Sequence, residues 1–373
     1  MNEHDPETAS DVARFPCDAC GADMRFAPGT GNLVCDHCGN TATPTEAGQP
    51  DTIRELDFHK ALHATLDEDQ FEDRTLSHCD NCGADVEFDG TTHAAECPFC
   101  ASPLVIGTGT SRKIKPKGVL PFTLDERQAR DAMTNWLGRL WFAPNGLQEY
   151  ARKGRKMEGI YVPYWTFDAD TKSRYTGERG TVYYESRQVR RDGKMVTEQV
   201  QKVRWRHVTG RVARWFDDVL VMASKSLPKS YTEALEPWAL DQLEPYAPEY
   251  LAGFSAEGYT VTLEDGYEQA RAKMDAVIRR DIRFDIGGDR QRIHSVDTTV
   301  KDVTFKHILL PVWMAAYKYR GQTYRFVVNA QSGKVRGERP WSWIKITLAA
   351  IAGAIIAGII GYIIAISENG GTF

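Results

Sequence analysis

Past Cys100 the chain contains no cysteine. All eight cysteines lie in the first 100 of 373 residues, so thiol chemistry is confined to the N-terminal part. Residues 77–106 contain no Lys or Arg. That lack weighs against a nucleic-acid surface there, because phosphate binding rests on cations. Residues 346–366 contain no charge of either sign. Met1 to Phe15 is acidic and has no apolar run, so no secretory leader is expected. A GxxxxGKS/T phosphate loop, HExxH and GxSxG are all missing. Without them no motif supports nucleotide hydrolysis, zinc proteolysis or serine hydrolysis, and a non-enzymatic chain is expected.

The overall composition is that of a globular protein: 42% hydrophobic and 26% charged residues, with a formal net charge of −5. It excludes wholesale disorder, a collagen repeat and a disulfide miniprotein. The charge is unevenly placed. Residues 1–106 hold 21 acidic and 5 basic residues, whereas residues 107–373 hold 30 acidic and 41 basic. The two parts therefore face different partners, or each other.

The cysteines form two matching sets: Cys17, Cys20, Cys35, Cys38 and Cys79, Cys82, Cys97, Cys100. Each reads CxxC, fourteen residues, CxxC, and the second set follows the first by 62 positions. Neighbouring residues repeat as well, CDACGADMRF at 17–26 and CDNCGADVEF at 79–88, which marks an internal duplication. Two thiolates three positions apart on a tight knuckle can share one metal ion. Gly21 and Gly39 suit the positive dihedrals of such turns. Two knuckles across a short hairpin close a four-sulfur shell with no position left for water, so two structural Zn2+ ions per chain are expected. Iron is the less common occupant of this geometry. Disulfides are disfavoured by a reducing cytoplasm. His37, His78 and His93 lie near the sets and read as surface residues.

At the other end, Ile346 to Ile366 is a 21-residue apolar run. At about 1.5 Å per residue it spans roughly 31 Å, the thickness of a bilayer core. Lys334, Arg336, Arg339 and Lys345 precede it and only Glu368 follows. The positive-inside rule then keeps residues 1–345 in the cytoplasm, on a single-pass, tail-anchored inner-membrane protein. Trp341 and Trp343 suit an interfacial belt. Ala349, Gly353, Ala357, Gly361 and Ala365 repeat every four residues, a stripe that allows close helix–helix approach and self-association.

The fold class expected is multidomain α+β. An acidic tail (1–14) leads into zinc ribbon 1 (15–44), a small β unit. A linker with a short helix (45–76) joins it to zinc ribbon 2 (77–106). A basic linker (107–118) leads to an α+β cytoplasmic region with antiparallel strands (119–340), built as one unit or two related ones. A transmembrane helix (344–366) and a short extracytoplasmic tail (367–373) complete the order. Within the linker, Ile53 to Leu66 is read as helix from the spacing of Leu56, Leu62 and Leu66. Thr123 and Glu126 form a capping-box pattern ahead of Ala129, Met133, Trp136, Leu137, Leu140 and Trp141. Gly159 to Ser224 reads as β, with an Asp192-Gly193 hairpin turn. Glu264 to Arg280 reads as an amphipathic helix, and residues 293–336 return to strands. Tyr161-Val162-Pro163-Tyr164-Trp165 resembles Leu309-Leu310-Pro311-Val312-Trp313, and the prolines suggest strand edges or starts. Asp217 and Asp218 are adjacent carboxylates, yet neighbours on a strand point to opposite faces. His207, His294 and His307 are isolated.

The layout resembles a bacterial family that goes under the names TFIIB-type zinc-ribbon protein and primosomal protein N′ (replication factor Y) helicase-like protein. The resemblance rests on CGAD at 20–23 and 82–85, GIYVPYW at 159–165, YLAGF at 250–254, FKHILLPVW at 305–313 and GERP at 337–340. The helicase name implies a nucleic-acid-binding replication factor, but the phosphate loop that ATP hydrolysis needs is missing. Relatives of similar design look like membrane partners of SPFH/flotillin-like proteins and of envelope-stress systems. The resemblance therefore implies an adaptor whose partners are membrane lipid and a cytoplasmic or membrane protein.

Overall fold

The computed structural model describes residues 14–44, 53–63, 65–87, 94–100, 102–105, 110–142, 157–191, 194–319, 322–338 and 341–369. The acidic tail before residue 14, His93, the Asp192-Gly193 turn and residues 370–373 lie outside them.

Three long antiparallel strands dominate: β1 (Glu158–Arg191, 34 residues), β2 (Lys194–Met222, 29 residues) and β3 (Arg290–Tyr319, 30 residues). β1 lies between the other two. At about 3.3 Å per residue β1 runs roughly 110 Å, where ordinary strands stop near 20 Å. Arg191 pairs with Lys194, so β1 and β2 run antiparallel up to the residues that join them. The three strands anchor an 11-stranded sheet at one end and project from it as an arm.

α1 (Glu126–Gly138) packs near the base of this sheet and buries Ala129, Met133 and Leu137. Its capping box is Asp125 with Gln128, not Thr123 with Glu126. The reason is local. The amides of Thr123 and Leu124 are both committed to the Ala330 carbonyl, at 3.2 and 2.8 Å, so the helix starts only after them. α2 (Leu263–Ile286) lies along the arm. Gly266, Ala270, Met274, Ile278, Ile282 and Ile286 form its buried face, one residue every four. That ridge meets Phe167, Ala169, Phe216, Val303 and Phe305 of the strands. Gly266 is required by a close approach: a Cβ there would lie 2.7 Å from Trp165 Cδ1.

Pro163 and Pro311 are not at edges. They sit inside β1 and β3, where Tyr161 pairs with Pro311 and Pro163 with Leu309. The expectation overlooks how lateral partners change along a long strand. On the far side of β1, Ser255–Gly258 pairs at Ile160 and Tyr161, and β2 takes over from Tyr164. On the far side of β3, Gly118–Val119 pairs at Ile308 and Leu309, and the strand Gln322–Asn329 takes over from Val312. Each proline fills the gap between successive partners, where a missing N–H costs no ladder bond.

The N-terminal third is tied into the same body. Leu56–Asp57 is a strand paired with Thr304 and Phe305 of β3, and among the described residues of 53–66 the helix is confined to Phe58–Leu62. Thr110–Ile114, read as part of a basic linker, pairs with Phe71–Thr75, and Lys113 Nζ reaches the Tyr259 carbonyl at 3.0 Å.

α3 (Trp343–Asn369) is the apolar C-terminal helix. Its Trp343–Ile364 segment has a mean hydropathy of 2.3 and none of it is buried in the protein. A helix this apolar and this uncovered is unstable in water and suited to lipid. Among the described residues it is the one helix long and apolar enough to cross a membrane, which fits a single-pass anchor that carries a cytoplasmic body.

Candidate metal centres

Both cysteine sets converge. In the first, Cys17 Sγ lies 3.5 Å from Cys38 Sγ, and Cys20 Sγ lies 3.5 Å from Cys35 Sγ. In the second, Cys79 to Cys100 and Cys82 to Cys97 are each 3.6 Å. All four sulfurs of a set lie within 4.8 Å of one another. A disulfide needs about 2.05 Å. A tetrahedron with metal–sulfur bonds of about 2.3 Å has sulfur edges of roughly 3.8 Å. The spacing therefore fits a four-thiolate metal shell and excludes a bond between these pairs.

The knuckles explain the convergence. The carbonyls of Cys17, Cys35 and Cys79 accept the amides of Gly21, Gly39 and Gly83 at 2.8, 2.9 and 2.7 Å. These glycines have φ of 74°, 76° and 73°, a region costly for other residues. The first thiol of each pair also receives two amides from its own turn: Ala19 and Cys20 at Cys17, His37 and Cys38 at Cys35, Asn81 and Cys82 at Cys79, Phe99 and Cys100 at Cys97. These amides stabilise thiolates. The Ala19 amide, against the opposing effect of burial, brings Cys17 down to about 6. At Cys38 the Asn40 amide lowers the pKa, but the sulfurs of Cys20 and Cys17 outweigh it and push the thiol up to about 12. Without a cation such a cluster cannot be four thiolates at once; a divalent ion removes the conflict.

The two centres differ in setting. Cys20 and Cys38 of the first are exposed, with Asp18 and His37 beside them on the outer surface. Its inner side joins a core with Phe26, Val119, Phe122 and Leu137. Phe26 N donates to the Ala252 carbonyl at 2.9 Å, and the Phe26 and Tyr250 rings are 5.3 Å apart. The YLAGF segment is therefore the seat of the first centre. In the second centre Cys79, Cys97 and Cys100 are buried and Cys82 half-buried. They pack with Leu120, Ile160, Ile308 and Leu310 of the central strands. Its strand Asp85–Glu87 pairs with Ser255–Gly258. GIYVPYW and FKHILLPVW supply those central strands, so these segments act through packing.

Among the described residues no histidine joins either cysteine cluster. His78 Nδ1 lies 2.7 Å from Asp85 Oδ1, and His294 Nε2 lies 3.6 Å from Glu178. His307 is buried, pairs through Nδ1 with the Ile114 carbonyl at 2.8 Å, and is held neutral because burial lowers it to about 3.

A second polar cluster was not legible in the sequence. Asp168, Asp217 and Asp218 bring carboxylate oxygens within 4.8 Å. The rule that neighbours face oppositely is broken by a bulge: Phe167 pairs with Val219 but Ala169 pairs with Phe216, and Asp218 has φ of 50°. Lys306 Nζ compensates the group at 2.8 Å from Asp218, 3.6 Å from Asp168 and 3.3 Å from Glu55. Burial nonetheless pushes Asp168 up to about 7. The Lys306 ammonium thus already balances part of the charge of this group.

A cavity of about 470 Å³ opens between the end of β2, the helix Lys229–Leu235 and the start of α2. Tyr164, Met222 and Ser224 line it, and Lys273, 3.6 Å from Glu236, is charge-paired at its rim. Behind Ser224 lies Glu257, fully buried and hydrogen-bonded to the Ser224 hydroxyl. Burial raises Glu257 to about 8, so it stays protonated at neutral pH. Between pH 4.5 and 8 the unfolded chain releases this proton and the folded chain keeps it. Stability therefore falls as pH rises through that window. Glu257→Gln should remove this slope: its Tm relative to the parent should climb from pH 5 to pH 8. A constant difference across that range would refute the assignment.

Fold and sites together define a membrane-anchored α+β protein with two four-cysteine clusters, each able to hold a metal ion, built into its body. The chain is similar to the uncharacterized protein YdjG of Bacillus subtilis (strain 168), 26% identical over 345 residues that cover 92% of this chain and 95% of the relative. No family model matches, and no solved structure matches.

Proposed function

We propose that this chain is a non-enzymatic adaptor of the inner membrane, in which two zinc ions rigidify a body that captures a cytoplasmic protein. The observation that carries this reading is the pairing of closed thiolate shells, which leave no open metal position for chemistry, with an apolar helix uncovered by the rest of the protein. The two centres then divide the work. The buried second centre holds the sheet together. The first turns its acidic knuckles outward and offers Asp18 and Asp23 to a basic partner. The family resemblance points to an SPFH/flotillin-like or envelope-stress protein as that partner. The Lys- and Arg-rich remainder suits the anionic leaflet, where each nearby cation contributes about 1 kcal/mol.

Crosslinking in membranes followed by purification tests the capture surface. Asp18→Lys with Asp23→Lys should lose the specific partner while keeping the metal content of the parent. An identical set of crosslinked proteins would reject the reading. The nucleic-acid reading attached to the helicase name predicts salt-dependent DNA binding and ATP hydrolysis; we expect neither, since the acidic centres repel phosphate.

The small-residue stripe of α3 adds a proposed contact between anchors. Gly353→Ile together with Gly361→Ile should weaken association measured inside the membrane; unchanged association would remove the stripe from the account.

A further inference from the structure

Beyond Gly180, which pairs with Arg290 at the start of β3, the arm loses its third strand. α2 has its last residue at Ile286. What continues is a two-stranded ribbon of eleven residue pairs, from Thr181 with Arg204 to Arg191 with Lys194, tied at its root by the Val182 amide donating to Asp289. Its side chains are mostly exposed, including Tyr184 at 64% and Met195 at 63%. An uncovered hairpin of this kind is marginal in water and gains from a second layer.

The register sorts the ribbon into two unlike faces, because residues alternate sides and paired residues share one. One face carries Val182, Tyr184, Gln188, Gln199, Gln201 and Met195; Arg190 is its sole charge. The opposite face also has apolar groups, Tyr183, Val189, Val196 and Val200, but sets them among Arg187, Arg191, Lys202 and Arg204 against Glu185 and Glu198, so the two faces differ in charge. That charged face is internally engaged. Lys202 pairs with Glu185, and Arg204 lies 5.3 Å from the centre of the Tyr183 ring.

We propose that the nearly uncharged face of the arm tip packs against the same face of a second copy of this chain. Charge selects both the face and the partner. Two copies meeting through their charged faces would oppose surplus cations, whereas the other face brings amides, Tyr184 and apolar groups together with little repulsion. Amide side chains such as Gln188 and Gln199 can donate and accept, so identical faces can satisfy one another. The anchor adds geometry. Copies held in one membrane by single helices share one polarity, which permits a two-fold axis along the membrane normal.

Size fixes the regime. Eleven pairs at about 3.4 Å make a face about 37 Å long and about 10 Å wide. Two such faces bury on the order of 700 Å², below the roughly 1,000 Å² of a stable interface. The contact is therefore weak between free molecules and populated when the anchor confines both copies to a membrane plane. This inference goes beyond the adaptor reading and holds whether or not the first metal centre captures a protein.

The test uses the full-length, metal-loaded protein in phospholipid vesicles and a short bismaleimide crosslinker, with the parent chain as background. Gln188→Cys and Gln199→Cys should each give a product of twice the chain mass. Their yield should exceed that of Arg187→Cys and Glu198→Cys on the charged face at least 5-fold. Tyr184→Asp added to Gln199→Cys should cut that yield at least 5-fold. All these positions are exposed, so folding is not at stake. Equal or stronger crosslinking from the charged face overturns the proposal. So does an absence of the double-mass product, or a neutral-face product of any other mass, which would place a different molecule there.

Discussion

Cys97→Ser should purify with about one zinc ion per chain where the parent holds about two, and its Tm should fall by more than ~10 °C. The size of the effect follows from where Cys97 sits. Its sulfur is 3.6 Å from Cys82 in the second centre, and its side chain is 1% exposed. The same core contains Val86, Phe99, Leu104, Leu120 and Ile160, so this centre is part of the body's interior. Structural zinc contributes roughly 10–16 kcal/mol to the folding of small domains. Loss of one thiolate forfeits much of that and leaves two buried sulfurs and one half-buried sulfur without a cation. Cys38→Ser at the exposed first centre should also lose one ion, with a smaller fall in Tm, because solvent can reach the gap. A chelator should likewise remove the first centre's ion before the second's. Metal analysis with thermal unfolding reads all of this. Equal losses of stability at the two centres would contradict the division between an outer and an inner site.

The second large effect is expected at Lys306. Lys306→Met keeps the stem and removes the ammonium, leaving Asp168, Asp218 and Glu55 without the cation they share. Asp168 is 1% exposed and its carboxylate already binds the Asp218 amide at 2.5 Å. Breaking a buried pair by removing one partner costs about 3–5 kcal/mol. The cost should depend on pH in a stated direction. Asp168 has its folded pKa raised to about 7, by burial first of all, from 3.8. Stability from this group is full below the unfolded value and declines as pH rises through the folded one. In mild acid Asp168 takes up a proton and the missing ammonium matters little. At pH 8 the charge is bare. Lys306→Met should therefore destabilise far more at pH 8 than at pH 5.5, and Asp168→Asn in the same chain should recover part of the loss. A pH-independent loss, or one below about 1 kcal/mol, would contradict this.

These two sites mark how far the sequence could be read. The cysteine sets were legible because their chemistry is local: a CxxC turn places two sulfurs by itself, and only one short hairpin is needed to bring the pairs together. The anchor was legible for the same reason, since 21 residues without charge have no other stable environment. The Lys306 cluster was not. It joins Glu55, Asp168, Asp218 and Lys306 across 251 positions of sequence, through a bulge that no local pattern announces. The arm was half legible. Residue types and the Asp-Gly signal gave strands and a hairpin, but strand length depends on partners far away. The prolines show the same limit. Their local preference for edges is real, yet their place was decided by where neighbouring strands begin and end. The position of the metal centres was hidden too. Their own sequences describe small free-standing units. Long-range contacts such as the pairing of Asp85–Glu87 with Ser255–Gly258, and of Phe26 with Tyr250, show them seated in the body.

The most direct test of the whole account is sulfur-shell spectroscopy on protein recovered from carbonate-washed membranes. X-ray absorption at the zinc edge should report about two zinc ions per chain, each bound by four sulfurs at about 2.3 Å. Protein lost from the membrane in the wash would contradict the account. So would zinc bound through nitrogen or oxygen, or present at well under one ion per chain.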